Sequence, residues 1–125
     1  MRARFSKRLL SLLDASPVVR IRAGADHRFL GIWGVVAKGR LFVRPWNDDA
    51  GGWRRAFLEE PRGAIRIAAA KGEIPVRARP ARGERLWDAI DAAYAAKYST
   101  KASQKWVRGL VTPGRRKATM ELLPG

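Results

Sequence analysis

The stretch Gly39–Ile67, GRLFVRPWNDDAGGWRRAFLEEPRGAIRI, decides the fold class of this chain. Leu41 and Val43 alternate with Phe42 and Arg44, the period-two pattern of a strand with one buried face. Asn47, Asp48, Asp49, Gly51 and Gly52 then interrupt it, because these residues favour turns and positive φ. Trp53, Phe57 and Leu58 give one apolar side to a short helix over residues 52–60, which Pro61 stops. Ile65 and Ile67 resume the alternation of a strand.

Working outward, the same alternation recurs on both sides. Val18–Ala23 reads as a strand with Val19 and Ile21 facing one way and Arg20 and Arg22 the other. A turn at Gly24-Ala25-Asp26 leads into a second strand, Arg28–Ala37, apolar on both faces in its middle; Gly31 and Gly34 mark a bulge, a bend, or the close approach of a ligand or backbone. Lys38-Gly39 then closes a hairpin onto Arg40–Arg44. Downstream, Ala64–Ala69 and Glu73–Ala81 form a second hairpin through Lys71-Gly72. Pro75, lacking an amide donor, belongs at an edge or at the start of its strand.

Helices frame these strands. In the N-terminal segment 1–16, residues 2–14 put Phe5, Leu9, Leu12 and Leu13 on one face. That helix either packs on the domain or, given its basic rim, lies on a membrane surface. Residues 84–98 form the clearest helix, with Glu84 and Asp88 early and Lys97 late, as the helix dipole favours. Residues 103–111 read as a further turn or two of helix, Pro113-Gly114 as a break, and Ala118–Leu123 as a last strand. The expected fold is α+β, mainly β: one domain over residues 1–125, built as a small antiparallel barrel of about six strands with packed helices. Barrel strands occupy residues 17–81, and a C-terminal segment, 103–123, returns a strand to the sheet. Connections too short for crossovers disfavour a parallel doubly wound sheet.

Composition narrows the chemistry. Without cysteine the chain has no disulfide, thiolate metal site or cysteine nucleophile, and a single histidine, His27, argues against a serine triad. The apolar run Leu9–Leu13 ends at Asp14, short of a secretory signal, and no stretch reaches the length of a membrane span. The expected location is cytoplasmic. Twenty-six basic residues against 11 acidic ones give a net charge of +15, which attracts polyanions. These residues are dispersed singly and in pairs rather than in a dense run, so a solvated basic surface is the competing interpretation.

The two hairpins around Trp53, with Pro61 eight positions on, resemble the split β-barrel superfamily. That superfamily contains the pyridoxamine-phosphate-oxidase-like flavoproteins and the deazaflavin-dependent nitroreductases. Over residues 17–123 the chain is similar to an uncharacterised bacterial family within it. The likeness rests on Trp33, Val35 and Val36, on Leu41, Val43 and Arg44, and on Ala93, Tyr94, Lys97 and Tyr98. The resemblance implies an FMN or deazaflavin cofactor whose phosphate sits at the loop and short helix after the third strand. Carried onto this sequence, it makes Arg44, Trp46, Asn47, Trp53, Arg54 and Arg55 the candidate cofactor site. Arginines suit bidentate phosphate contacts, and tryptophans suit stacking on a flat ring. The chain departs from the family pattern at Ala56 and Glu60, where asparagines are common.

Three functions from different classes follow. The first is a flavin- or deazaflavin-binding oxidoreductase. The second is a nucleic-acid-binding barrel using Arg20, Arg22, Arg66, Arg77 and Arg79, although the tryptophans read mostly as core. The third is a cofactor-free structural or interaction domain, expected as a homodimer. Tyr94, Lys97 and Tyr98 are either proton donors in a pocket or packing residues, with Lys97 capping the last carbonyls of its own helix. Asp48 and Asp49 alone make a weak metal site. Asp88 and Asp91 read as solvated.

Overall fold

The structure, a computed structural model, describes residues 4–47 and 52–125. The expected helix start at residues 2 and 3, and the Asp48-Asp49 and Gly51 positions, lie outside the described residues. Seven strands form one antiparallel sheet: β1 Val19–Ala23, β2 Leu30–Ile32, β3 Gly34–Ala37, β4 Arg40–Val43, β5 Arg62–Arg66, β6 Ile74–Pro80 and β7 Met120–Pro124. Their spatial order is β2-β1-β5-β6-β7-β4-β3.

This order closes the sheet into a nearly complete barrel. β2 and β3 sit at opposite ends of the sheet, yet only Trp33 separates them in the chain. Ile32 pairs with Val19 of β1, and Gly34 pairs with Val43 of β4. The expected single strand Arg28–Ala37 is thus one extended run that changes partners at Trp33, which is why seven strands replace about six. The bend anticipated from Gly31 and Gly34 is this change of partner. The β3–β4 connection is a two-residue turn with Lys38 at φ 53° and Gly39 at φ 70°. Positive φ at both central residues matches the twist of the flanking strands.

Alternation along the strands sorts side chains into two layers. Val19, Ile21, Leu41, Val43, Ile65, Val76, Ala78, Met120 and Leu122 fill the barrel interior, joined by Leu13 and by Phe57 of the short helix. On the exterior of β3 and β4, Val35 and Phe42 form a second cluster with Ile90, Tyr94, Tyr98, Val107 and Leu110. Each large side chain buried in these clusters contributes roughly 1.5–3 kcal/mol.

The helices are α1 Lys7–Ala15, α2 Trp53–Glu59, α3 Glu84–Lys97, α4 Gln104–Leu110 and α5 Pro113–Lys117, with a single 3₁₀ turn, Lys101–Ser103, before α4. α1 starts later than expected because Ser6 caps it, its Oγ accepting from the Leu9 amide at 3.1 Å. Pro113-Gly114, read as a break, instead opens α5: proline at a first helical position has no amide to satisfy there. β7 starts two residues later and ends one later than expected, and lies between β6 and β4. Leu58, assigned to the apolar side of α2, is exposed, and so is Leu30 of β2. Among the described residues, no helix is long and apolar enough to cross a membrane.

Candidate functional site

Arg44 leaves the end of β4 on the exterior side, where α3, α4 and β7 converge. Its side chain is 0% exposed. Nε donates to Thr119 Oγ1 at 2.8 Å, Nη1 to Asp91 Oδ1 at 2.5 Å and to the Leu110 carbonyl at 3.0 Å, and Nη2 to the Trp87 carbonyl at 3.2 Å. A guanidinium offers five N–H donors in a rigid fork, and protein acceptors take up four contacts here. Asp91 also meets Arg116 Nε at 2.9 Å, and Asp88 pairs with the same arginine. The expectation that both acids are solvated holds for Asp88, which is 72% exposed, and is corrected for Asp91, which neutralises a buried cation that burial would otherwise make costly.

Tyr94 and Lys97 of α3 and its C-cap residue Tyr98 lie at i, i+3 and i+4, hence on one side of the helix. That face lies over the β2–β3 break. Tyr94 Oη accepts from the Arg44 amide and donates to the Trp33 carbonyl, both at 3.1 Å. Lys97 Nζ donates to the Gly34 carbonyl at 2.6 Å and to the Leu13 carbonyl at 3.0 Å. Lys97 thus ties α3 to β3 and to the end of α1, rather than capping its own helix. Tyr98 donates to the Pro17 carbonyl at 2.7 Å, and its ring stacks on Trp33 with centroids 3.9 Å apart. These side chains satisfy carbonyls at the bend where the strand changes partner. Burial lowers Lys97 to about 8, against the pull of Asp14. Burial also pushes both phenols well above their usual range. The packing interpretation of the trio accounts for every one of these contacts.

Beside this network opens a cleft of about 360 Å³, lined by Gly31, Ile32, Trp33, Arg44, Trp46, Trp106 and Leu110. Such a volume falls in the range of small-molecule sites. Trp46 and Trp106, 39% and 45% exposed, meet edge to face with centroids 5.0 Å apart. Trp46 is fixed from behind. The Arg115 guanidinium lies 3.8 Å from its ring centroid, and Arg115 Nε donates to the Trp46 carbonyl at 2.8 Å. Gly109 is required at this contact, because a Cβ there would come within 2.3 Å of the indole. The Lys105 ammonium lies 5.2 Å over the Trp106 ring.

The six residues expected to form a cofactor site divide among several places. Arg44 and Trp46 line the tryptophan cleft, although the Arg44 guanidinium is turned into protein. Asn47 follows Trp46 and is exposed. Trp53 packs edge to face on Phe57 and lines a second, smaller cleft of about 240 Å³ with His27, Phe29 and Gly52. Arg54 Nε donates to the Ala118 carbonyl at 3.2 Å, next to the Thr119 hydroxyl that holds Arg44. Arg55 is exposed on α2. Trp46, named as a stacking candidate, is exposed; Trp106, which lies in an apolar run and read as core, is exposed as well. Trp106 was hidden by its flanks: Val107 and Leu110 are buried as expected of the apolar side of α4, while Trp106 points outward.

Glu121 was not singled out in the sequence. It is buried on the exterior side of β7, where Arg40 donates to it through Nε at 2.9 Å and Nη2 at 2.8 Å, and Arg79 at 3.0 and 2.8 Å. Burial raises its pKa, but the hydrogen bonds from Arg40 and Arg79 prevail and hold it below the ordinary carboxylate value. Among the described residues, no group of three histidine or acidic side chains is placed to hold a metal ion.

The chain belongs to a family described as uncharacterized proteins conserved in bacteria (DUF2255), whose model matches residues 16–122. Among solved structures it is similar to the crystal structure of the conserved hypothetical protein Rv2991 from Mycobacterium tuberculosis. The TM-score is 0.58 at 11% sequence identity, covering 98% of this chain and 83% of that one. At that identity the likeness bears on the fold alone. No curated protein matches the chain.

Proposed function

We propose that this protein binds a flat, phosphorylated aromatic cofactor of the FMN or deazaflavin class in the cleft lined by Trp33, Trp46 and Trp106, as part of an oxidoreductase. The observation that carries this reading is the fixed, half-exposed Trp46. An exposed indole held by Arg115 and by the missing Cβ of Gly109 is a pre-organised stacking platform rather than a stray surface residue. The aromatic lining suits a flat ring, and Lys105, over the Trp106 ring, brings positive charge beside the cleft. The resemblance to the split-barrel flavoproteins points the same way, with Arg54 and Arg55 as the phosphate anchors it implies.

Such a cofactor, when bound, supplies the hydride chemistry. The chain's own residues bind and orient it. Trp46 and Trp106 would hold the ring through their exposed surfaces, while the buried Arg44–Asp91 pair and the Trp33–Tyr98 stack hold the cleft walls in place. The larger cleft is preferred to the one beside Trp53, whose volume lies below the usual range for such ligands.

Titration with FMN, riboflavin and a deazaflavin, followed by tryptophan quenching, tests the proposal. The wild type is expected to show saturable one-site quenching that survives physiological salt. Trp46→Ala and Trp106→Ala should each weaken binding by about tenfold or more, the loss of roughly one stacking contact. Arg54→Gln/Arg55→Gln or Lys105→Gln should weaken FMN but not riboflavin if that side chain holds the phosphate. Absence of saturable binding of any of the three ligands would overturn the reading.

A further inference from the structure

The barrel exterior opposite α3 carries a second feature, independent of the cleft. Interior positions of β1, β5 and β6 are apolar or glycine. Apart from Ala64 and Pro75, every exterior position on these three strands is an arginine: Arg20 and Arg22, Arg62 and Arg66, Arg77 and Arg79. Cross-strand register assembles them into a lattice. Arg20 lies opposite Arg66, and Arg62 opposite Arg77, while Arg22, Ala64 and Pro75 form the row between. Adjacent strands are about 4.8 Å apart and alternate residues along a strand about 6.7 Å. Like charges directly opposite one another destabilise a sheet, so this arrangement costs folding free energy that no interior contact requires.

Only part of that charge is neutralised. Glu73 pairs with Arg22 and Glu121 with Arg79. Arg20, Arg62, Arg66 and Arg77 are exposed, with no acidic partner among the described residues. Arg22 and Arg66 both rest over the Phe29 ring, at 4.5 and 5.5 Å from its centroid, which fixes their guanidinium groups. A depression of about 370 Å³, lined by Val18, Arg20, Arg66, Ile67 and Ala68, runs along the margin of the lattice.

We propose that the exterior face of β1, β5 and β6 binds the phosphate backbone of nucleic acid without reading its sequence. Charge complementarity selects this partner. A grid of guanidinium forks meets a repeating anion bidentately and releases its counterions. Phe29 is covered by arginines and no tryptophan lies on these strands, so the face offers charge without a base-stacking platform. An acidic protein is a poorer fit, since a protein interface centres on large apolar or aromatic side chains and this face has alanine and proline at its middle. A second copy of the chain fits worse still. A two-fold interface sets the same patch against itself and would oppose arginine to arginine.

Fluorescence anisotropy with a labelled duplex and a labelled single strand of about 20 nucleotides tests this at about 50 and about 200 mM salt. The wild type should bind both, with affinity falling by tenfold or more over that range. Arg20→Gln/Arg66→Gln/Arg77→Gln should weaken binding at least tenfold and flatten the salt dependence by about 2–3 in slope, near 1 per lost phosphate contact. The control Arg85→Gln/Lys101→Gln/Arg108→Gln removes the same charge from the helical side and should change affinity less than about threefold. Thermal melts establish that both triples fold. Equal weakening by the two triples, or no binding at the lower salt, overturns the proposal. Binding of polyglutamate or anionic vesicles in preference to both nucleic acids overturns it as well, as does a dimer that the lattice triple disrupts.

Discussion

The two halves of the barrel exterior use the same residue in opposite ways. On the β3–β4 side, Arg44 is sealed beneath α3 and α4, with its donors assigned to Asp91, Thr119 and two carbonyls. On the β1–β5–β6 side, Arg20, Arg62, Arg66 and Arg77 stand exposed on the same parity of their strands, with no acidic partner among the described residues. The difference teaches that an arginine's role here is set by what covers the strand, not by the strand. Glu121 marks the boundary. It takes Arg40 from the covered half and Arg79 from the open half.

The largest effect is expected at the covered arginine. Arg44→Ala takes from Asp91 one of its two arginines, leaves Thr119 and the Leu110 and Trp87 carbonyls without their donor, and opens the junction of α3, α4 and β7. The expected cost is about 3–5 kcal/mol, typical of breaking a buried pair. Denaturant unfolding measures it; a loss below about 1 kcal/mol would mean that the buried network is not a structural centre.

At the boundary, Glu121→Gln should cost about 1–2 kcal/mol, less because Arg79 is partly solvated. The Glu121 pKa is depressed in the fold, so its contribution is complete above the ordinary carboxylate value and is lost as pH falls through the folded one. The gap between wild type and Glu121→Gln should accordingly close in acid. A gap that stays constant to low pH would contradict the ionic account.

A smaller, pH-dependent effect belongs to Lys97. Its pKa is lowered from 10.5 to about 8, so between those values the unfolded chain binds more protons, and stability rises with pH through this group. Tyr94 and Tyr98 act in the opposite sense above their ordinary value of 10.0, because the folded phenols stay neutral. The melting temperature, corrected for the rest of the chain by comparison with Lys97→Met, should rise between about pH 8 and 10 only when Lys97 is present. Identical pH profiles for the two proteins would dispose of the assignment.

The smallest effect is expected on the open half. Arg20→Gln, Arg66→Gln and Arg77→Gln should each change stability by no more than about 0.5 kcal/mol, as surface substitutions do. A larger loss in any of them would show that the open lattice is structural after all.

Much of the barrel was legible because alternation is a local signal. Leu41 and Val43, or Val19 and Ile21, declare a buried face through their neighbours alone, and Lys38-Gly39 declares its turn. The bend near Gly31 and Gly34 was legible too, but the exchange of β1 for β4 was not, since it depends on contacts between distant residues. The site was less legible for the same reason. Trp46 could be named from its place in the loop, yet the residues that fix it, Gly109 and Arg115, come from α4 and α5. Trp106 sits among apolar residues and reads as core until the rotation of α4 is known. Arg44 read as an anion ligand, because nothing local shows that Asp91 and Thr119 reach it.

Site-resolved NMR of the five tryptophan indole N–H signals during FMN addition tests the central claim most directly. The account predicts that Trp33, Trp46 and Trp106 shift together with one saturation curve, while Trp53 and Trp87 stay in place. Shifts confined to Trp53, or no shift in any indole at saturating FMN, would contradict it.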